Sequence, residues 1–386
     1  MWTSEKQRTP WPFFVAEGET LGRHLEARLG RLLMALEQGH MLQPATRVAG
    51  LLGTGWGEVR AEEGPLWPSD ITDDHTPFEL SLALGDGAET VRLLSEPQDA
   101  RQPSLVTSWR VARDIHEELA RQWQARPDVF DSVADLFAPE KGARASFSIW
   151  HSAIFEANSA PAFKIYLNPN IHGVAHGSEV VEACLSRLGL SESWSSLARK
   201  ALTRPGDIPL YVSLDLSAAQ NARAKVYVAH RDATAREVAD VLARVPGFKG
   251  ELVEHWCSTL LGGEGPYTAR PPITCFALRR SDSQLYSGTL HLPIRCYTDD
   301  DFSAARQICG LLGYQQRLAY MRALTAFSQR PLEVDKGMQT YVSLRPSPGV
   351  QAATVYLAPQ VYSRVEMPEA PPRGPFAPRR VRPALQ

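Results

Sequence analysis

Hydrophobic residues recur at helical spacing in several segments of the chain. Apolar positions three or four residues apart, set among good helix formers, predict a helix in each segment. The five predicted helices cover residues 20–38, 106–125, 178–202, 234–246 and 300–327. Thr298, Asp299 and Asp300 supply plausible cap residues for the last of them. Between these segments the hydrophobic period changes from helical spacing to simple alternation.

The alternating segments come in pairs, which predicts antiparallel hairpins. Each pair is joined by a short polar or glycine-containing break, and strands joined by so few residues are neighbours in a sheet. The five pairs are 78–84 with 90–96, 147–155 with 162–168, 210–216 with 223–229, 273–279 with 288–294, and 339–345 with 353–359. Because a helix precedes each hairpin, the pattern indicates a helix–strand–strand unit repeated five times.

Ten strands in an open sheet would leave unpaired edges, and closing the sheet removes them. We therefore predict an α+β fold in which five α-ββ repeats form a ten-stranded antiparallel barrel inside an outer ring of helices. Such a barrel has a lumen wide enough for a ligand. We expect one barrel domain over residues 1–362, followed by a disordered Pro- and Arg-rich tail over residues 363–386. Two unrelated α+β domains remain the alternative.

The composition is that of an ordinary globular protein. The chain has 386 residues, 44% hydrophobic and 22% charged, and its nine tryptophans indicate a substantial packed interior. With 41 basic and 43 acidic residues, it lacks the basic excess that nucleic-acid or membrane binding requires. No signal peptide or membrane span is expected. Five scattered cysteines indicate reduced thiols rather than disulfides or a zinc site, which favours the cytoplasm.

The second strand of every predicted hairpin carries a cation, a tyrosine or a histidine among apolar neighbours. Strand residues two apart share a face, so Lys164 lies beside Tyr166 and Lys225 beside Tyr227. The set comprises Arg92, Lys164, Tyr166, Arg223, Lys225, Tyr227, His291 and Tyr356, with Tyr341 on a partner strand. Clustered cations neutralise a polyanion, and tyrosine faces stabilise a carbocation. The pattern therefore predicts a lumen suited to ionising an allylic diphosphate.

A carboxylate stands near the start of the first predicted strand. Glu79 follows Pro77 in the segment TDDHTPFELS, within an otherwise apolar stretch. A buried carboxylate needs a partner. Glu79 is therefore expected either to pair with a cation of the lumen or to accept a hydrogen bond from a substrate N–H, and the residues alone leave both open.

The ordered set of these segments resembles aromatic prenyltransferases of the dimethylallyltryptophan synthase type, bacterial members included. TDDHTPFELSLAL is followed by VRLLSEP, KIYLNP, RAKVYV and TYVSL…VYLAP, over about residues 45–362. The resemblance implies the prenyltransferase (ABBA) barrel. It also implies transfer of a dimethylallyl or longer group, such as geranyl, from its diphosphate to the indole of tryptophan or a tryptophan-derived compound.

The resemblance also implies the partners of this activity. No cofactor is required, and added magnesium or calcium raises the rate only modestly. The expected partners are an allylic diphosphate and an indole-containing acceptor, with no nucleic acid and no membrane, in a monomer or homodimer. Prenylation of a phenol or a cyclic dipeptide, or a non-catalytic barrel that binds isoprenyl diphosphates, remain alternatives.

Roles for single residues follow from the resemblance by position. Glu79 looks like the family glutamate that accepts the indole N–H bond. His291 stands where many members have a tyrosine, so it either shields the cation or binds the diphosphate. His151 lies near a position where some members carry a base for the final ring proton; otherwise its neighbour Trp150 faces the lumen. The diphosphate-binding cations are expected to be Arg92, Lys164, Arg223 and Lys225, and the cation shield Tyr166, Tyr227, Tyr341 and Tyr356.

Three other motifs are better explained without a ligand. The aspartates at 299–301 lack the second acidic residue of the D-D-x-x-D motif, so helix capping is preferred to magnesium binding. His172 and His176 are each followed by a glycine, which argues against a helical zinc motif. The glycines of GTGWG (53–57) lack the strand and helix context of a nucleotide loop.

Overall fold

The computed structural model describes residues 18–85, 89–217, 223–279, 287–347 and 351–362. Ten strands alternate with helices along the chain. The strands are β1 (Phe78–Leu84), β2 (Thr90–Ser95), β3 (Ile149–Glu156), β4 (Ala162–Leu167), β5 (Asp207–Asp215), β6 (Ala224–His230), β7 (Ile273–Leu278), β8 (Ser287–Leu292), β9 (Gln339–Arg345) and β10 (Ala352–Leu357). All ten predicted strands are thus confirmed, with ends shifted by up to three residues.

The strands form one closed antiparallel barrel. Each strand pairs with its neighbours in sequence, and β1 also pairs with β10, where Leu80 lies opposite Leu357. The predicted barrel is therefore confirmed, and the alternative of two unrelated domains is wrong. The tail at 363–386 and the tip of the first hairpin at 86–88 lie outside the described residues.

Helices surround the barrel. They are α1 (Leu21–Ala35), α2 (Leu42–Leu52), α3 (Leu105–Trp123), α4 (Asp128–Asp131), α5 (Gly177–Arg187), α6 (Ser191–Ala201), α7 (Ala235–Leu242), α8 (Gly250–Leu261), α9 (Asp301–Leu311) and α10 (Tyr314–Phe327). Each of the predicted helices 178–202 and 300–327 is in fact two. The first divides at Gly189, whose φ of 71° ends α5, and the second at Gly313, just before α10. Helices α2, α4 and α8 were not predicted.

The main core lies between the barrel and its helices. Alternate strand residues face outward, and Leu80, Leu82, Val91 and Leu93 are fully buried there. Burying a leucine side chain contributes about 1.5–3 kcal/mol, so this layer supplies much of the stability. A second, smaller cluster around Leu210 lies on the inner face of the barrel. The inner face is therefore free to carry polar and aromatic groups.

The GTGWG segment (53–57) serves chain packing. A Cβ atom on Gly55, whose φ is 91°, would lie 2.0 Å from the carbonyl oxygen of Gln98. Only glycine allows the turn after α2 to approach the segment after β2 so closely. The indole N–H of Trp56 in this turn donates a 3.0 Å hydrogen bond to the carbonyl of Glu96.

The cysteines are free thiols, and the histidines of the H-x-x-x-H segment lie at the surface. None of the five cysteines forms a disulfide bond. Within the described ranges, no helix is long and apolar enough to span a bilayer. His176 pairs with the exposed Glu179 at 3.1 Å, and His172 is exposed.

Candidate functional site

The lumen contains two adjoining cavities, and the first is basic. This basic chamber has about 1030 Å³ of empty space. Arg92 from β2, Lys164 from β4 and Lys225 from β6 project into it, because each occupies an inward-facing position on its strand. Arg345, at the end of β9, adds a fourth cation that sequence reasoning did not single out. The chamber is thus built to hold a polyanion.

Asp215, at the end of β5, pairs with two basic residues at this chamber. Its carboxylate lies 3.7 Å from the Nζ of Lys164 and accepts a 2.8 Å hydrogen bond from the Nε of Arg223. Burial, aided by the nearby charges of Lys225 and Arg92, lowers the pKa of Lys164 to about 7, although Asp215 opposes the shift. Burial likewise lowers the pKa of Lys225. An incoming anion would restore the full charge of both lysines.

Four rings separate the basic chamber from the second cavity. Tyr166, Tyr227, His291 and Tyr356 line both cavities, and we call them the ring tier. Their centroids follow one another at 5.8 Å, 5.6 Å and 5.9 Å. Rings at this spacing contact one another, so they form a continuous wall beside which a small cation would be shielded from water.

His291 is the one ring-tier member with a basic nitrogen. Its Nδ1 lies 3.5 Å from the hydroxyl of Tyr356. Burial, with the charges of Lys225 and Arg92 nearby, lowers the pKa of His291 to about 3. The imidazole is therefore neutral at pH 7 and keeps a lone pair available to accept a proton.

The second cavity is lined mainly by aromatic and aliphatic groups, and we call it the aromatic chamber. It has about 820 Å³ of empty space. Trp150 on β3, Tyr211 on β5 and Tyr341 on β9 form its walls, and the rings of Trp150 and Tyr211 are 5.3 Å apart. A bulge in β5 between Pro209 and Tyr211 turns Leu210 into the same cavity. The chamber suits a flat aromatic molecule.

Glu79 faces the aromatic chamber from the beginning of β1. Its side chain is 6% exposed, and Oε1 accepts a 2.6 Å hydrogen bond from the hydroxyl of Thr340 on β9. Burial raises the pKa of Glu79 to about 8, although this hydrogen bond and the charge of Arg270 oppose the rise. With Oε1 held by Thr340, Oε2 remains available to accept a hydrogen bond from a molecule in the chamber.

The loop between α2 and β1 forms the floor of the aromatic chamber. Asp70 and Ile71 line the cavity, as does Arg270 from the segment before β7. Asp73 joins this loop to the barrel, pairing with Arg270 at 3.0 Å and also with Arg295. The floor therefore places a guanidinium and a carboxylate beside an otherwise apolar pocket.

Asp74 stabilises the same loop by a network of its own. Its carboxylate accepts hydrogen bonds from the hydroxyl groups of Thr72 and Thr76 and from the backbone N–H of Tyr362. The polar residues of the TDDHTP segment thus hold the floor in place, immediately before Glu79.

Most residues predicted for the site meet in the lumen, and two lie elsewhere. His151 is 1% exposed but faces outward, where its ring lies 4.8 Å from that of His116 on α3. The prediction that placed it at the substrate is therefore wrong, because Trp150, one residue earlier, takes the inward position. Arg223 does not line the basic chamber; it precedes β6 and pairs with Asp215. Tyr341 lines only the aromatic chamber and lies outside the ring tier.

Sequence reasoning missed Tyr211, Asp215 and Arg270. Tyr211 and Asp215 lie four residues apart on β5, the first strand of its hairpin, so they share one face of the sheet. Strand alternation could therefore have found them. Arg270 lies in a connection between hairpins, where no periodic signal exists.

The aspartates at 299–301 have structural roles. Asp300 is the N-cap of α9 and accepts a 2.6 Å hydrogen bond from the N–H of Ser303. Asp301 pairs with Arg330 at 2.7 Å and accepts hydrogen bonds from two backbone N–H groups of 338–339. Among the residues that the structure describes, no group of three or more His, Cys, Asp or Glu could hold a metal ion. The predicted helix cap is confirmed at Asp300.

Comparison with known proteins agrees with this geometry. The sequence profile of tryptophan dimethylallyltransferases matches residues 36–323. A crystal structure of 6-dimethylallyltryptophan synthase from Micromonospora olivasterospora, in complex with DMASPP and Trp, is 30% identical with a TM-score of 0.83. The match covers 89% of this chain and 99% of that one. A 5-dimethylallyltryptophan synthase from Streptomyces coelicolor is 26% identical with a TM-score of 0.82, covering 92% and 100% of the two chains.

A more distant relative acts on a different amino acid. The 4-O-dimethylallyl-L-tyrosine synthase of Claviceps purpurea is 23% identical over 345 residues, 77% of this chain and 78% of that protein. The predicted fold and the predicted class of enzyme, an aromatic prenyltransferase, are confirmed. The chain belongs to the tryptophan dimethylallyltransferase family.

Proposed function

We propose that this enzyme transfers a dimethylallyl group from dimethylallyl diphosphate to the indole ring of free L-tryptophan. The observation that carries the proposal is the junction of the two chambers. A cationic cavity and an aromatic cavity meet at one tier of rings, and Glu79 faces the aromatic side. Each reactant thus has its own compartment, and the reacting carbons meet between them.

The basic chamber holds the diphosphate in this proposal. The C–O bond of the donor breaks, and its electron pair leaves with the diphosphate, which Arg92, Lys164 and Lys225 stabilise. Arg223 contributes through Asp215, since it neutralises the carboxylate that otherwise competes for Lys164. Because these cations are fixed in place, the proposed reaction needs no metal ion. Magnesium or calcium would act only on product release.

The ring tier then shields the allylic cation. Faces of Tyr166, Tyr227 and Tyr356 offer cation–π stabilisation of about 0.5–2 kcal/mol each. Tyr341 contributes from the acceptor side, where its ring lies 6.5 Å from that of Tyr356. The same rings keep water away from the cation, so that an arene carbon is the nucleophile it meets.

Glu79 activates the acceptor by accepting the indole N–H with its free oxygen. A charge-assisted hydrogen bond makes the ring more electron-rich as its carbon attacks the allylic cation. The resulting arenium ion must lose a proton to regain aromaticity. His291 is neutral and faces both chambers, so we assign it as the proton acceptor in place of His151. The adjacent diphosphate stabilises the imidazolium that forms.

The floor of the aromatic chamber favours a free amino acid. Arg270 can bind a carboxylate, and Asp70 can bind an ammonium group, at one end of a pocket that is otherwise apolar. A phenol without an amino-acid group, or a cyclic dipeptide, offers neither a carboxylate to Arg270 nor an ammonium group to Asp70.

The experiment is a comparison of acceptors with dimethylallyl diphosphate as donor. We expect L-tryptophan to give a higher kcat/KM than L-tyrosine, a tryptophan-containing cyclic dipeptide or a naphthol. In Arg270→Gln, losing a charged hydrogen bond of about 1.5–3 kcal/mol should lower kcat/KM for L-tryptophan about 10- to 100-fold. Tryptamine, which lacks the carboxylate, is the matched control and should be little affected. Preference for any of the other acceptors would refute the assignment of L-tryptophan.

A further inference from the structure

Glu96 is a buried carboxyl group beside the aromatic chamber that the reaction described above does not use. It directly follows β2 and is 1% exposed. Arg92 and Leu94 on β2 face the lumen, so Glu96, two residues further, shares their inward face. Its backbone N–H donates a 2.9 Å hydrogen bond to the carbonyl of Pro77, which continues the pairing with β1.

Trp150 is the cross-strand neighbour of Glu96. In the pairing of β2 with β3, Ser95 lies opposite His151, and the next pair in this antiparallel register is Glu96 with Trp150. Cβ atoms of residues in such a pair lie about 4.5–5.5 Å apart, within reach of a glutamate and an indole. Both side chains therefore lie at the same end of the lumen, with Trp150 forming the chamber wall.

The carboxyl group of Glu96 and the indole N–H of Trp150 can each serve as the hydrogen-bond partner of the other. Among the residues that the structure describes, none forms a well-aligned hydrogen bond with either carboxyl oxygen of Glu96 or with the indole Nε1 of Trp150. Burial raises the pKa of Glu96 to about 8; Ser69, Trp150 and Gln98 moderate the rise, whereas the charge of Asp70 adds to it. A buried polar group without a partner costs about 1–3 kcal/mol, so pairing the two groups is strongly favoured.

The orientation of Trp150 matters because its ring is part of the acceptor's binding surface. It stacks on Phe147 at 3.8 Å and contacts Tyr211 at 5.3 Å. It also lies opposite Tyr166 of the ring tier in the β3–β4 register. A change in the tilt of this wall would change which carbon of the acceptor ring faces the tier.

We propose that Glu96 is a positioning residue that holds the indole N–H of Trp150 and thereby selects the ring carbon that is prenylated. The proposal rests on the proposed function, since it assumes an indole acceptor in the aromatic chamber. Glu96 does not touch the substrate; it acts through the wall that Trp150 forms.

The test is a double-mutant cycle read out as the ratio of prenylated regioisomers. The variants are Glu96→Met, which keeps the length and removes the polar atoms, Trp150→Phe, which removes the N–H together with part of the wall, and the two combined. We expect each single variant to raise the share of minor isomers about tenfold, equivalent to about 1.4 kcal/mol. The combined variant should raise it no further than Trp150→Phe alone, because Glu96 acts only through the N–H that this change has already removed. Glu96→Gln, which keeps a carbonyl acceptor for the N–H, should keep the wild-type ratio of isomers.

Trp56→Phe is the matched control. Trp56 donates to the backbone carbonyl of Glu96 but stacks on Phe78, outside the barrel. This variant should lose stability and keep the isomer ratio. An unchanged ratio in Glu96→Met or in Trp150→Phe, or multiplied effects in the combined variant, would overturn the proposal. If Glu96→Met does not fold, Glu96→Leu takes its place in the cycle, and an unchanged ratio there overturns the proposal. Absence of any prenylated tryptophan from the wild-type enzyme would instead refute the proposed function.

Discussion

Glu79 offers the sharpest test of the chemistry in the aromatic chamber. Glu79→Gln keeps the shape and the bond to Thr340 but removes the charge that, in the proposed function, faces the indole N–H. Loss of one such preorganised acceptor costs about 2–4 kcal/mol, so turnover should fall about 30- to 1000-fold. The binding of the donor should change little, because Glu79 does not line the basic chamber.

The pKa of Glu79 makes this loss depend on pH. Burial raises that pKa to about 8, so the ionised form is present above pH 8 and is lost as the pH falls. In the free enzyme about 90% of Glu79 is ionised at pH 9 and about 1% at pH 6. For the wild type, kcat/KM should therefore rise about tenfold per pH unit between pH 6 and 8 and then level off. The variant should lack this dependence.

The assay is kcat/KM for tryptophan at saturating donor, measured from pH 6 to pH 9. A saturating donor keeps Lys164, whose pKa is lowered to about 7, in its charged form throughout. The wild type and Glu79→Gln should differ most at pH 9 and least at pH 6. A rising limb that persists in the variant, or turnover within threefold of the wild type at pH 9, would refute this role for Glu79.

Three further predictions concern the ring tier, the basic chamber and the fold. Tyr166→Ala or Tyr227→Ala should let water trap the cation, so free prenol should rise relative to prenylated product when both are quantified. Activity should persist in excess EDTA, whereas Lys225→Glu should abolish donor binding in a direct titration. Burial holds the pKa of His116 near 3 and that of His151 well below 6.5, so protonation of the unfolded chain destabilises the fold below pH 6.5. His116→Leu should remove about 2 kcal/mol of the stability lost between pH 7.5 and pH 5, measured by urea unfolding.

Each of these predictions has a contradicting outcome. An unchanged ratio of prenol to product in both tyrosine variants would mean that these rings are structural. Loss of single-turnover chemistry in EDTA, with rescue by magnesium, would mean that fixed cations do not suffice. An equal loss of stability on acidification in the wild type and His116→Leu would show that this histidine does not resist protonation.

The strands were predictable because the barrel imposes one strict rule on them. Outward residues are buried under helices and inward residues line a cavity, so alternation is visible in every hairpin. The same rule makes the prediction sensitive to the register: a shift of one residue exchanges His151, which faces α3, with Trp150, which faces the aromatic chamber.

Helix boundaries and loop residues were harder to predict for local reasons. Helix α2 contains Pro44 and Gly50 and is followed by Gly53, so its sequence looks like that of a loop. Arg270 belongs to a connection, so its place at the chamber floor depends on the tertiary path of the chain and the ion pair with Asp73. The pairing of Asp215 with both Lys164 and Arg223 likewise depends on the contact between separate hairpins.

Closure of the barrel by β1 and β10 determines when the enzyme can first become active. During synthesis β1 leaves the ribosome early, but its second partner is the last of the ten strands to be made. Until β10 is made, one edge of β1 has no strand to pair with. Bringing together two strands so far apart in the sequence is slow. The hydrogen bond from Thr340 to Glu79 joins β9 to β1 across this seam. A nascent chain therefore cannot assemble the acceptor site, and a chain cut before β10 should have no residual activity, however well its other helices and hairpins fold.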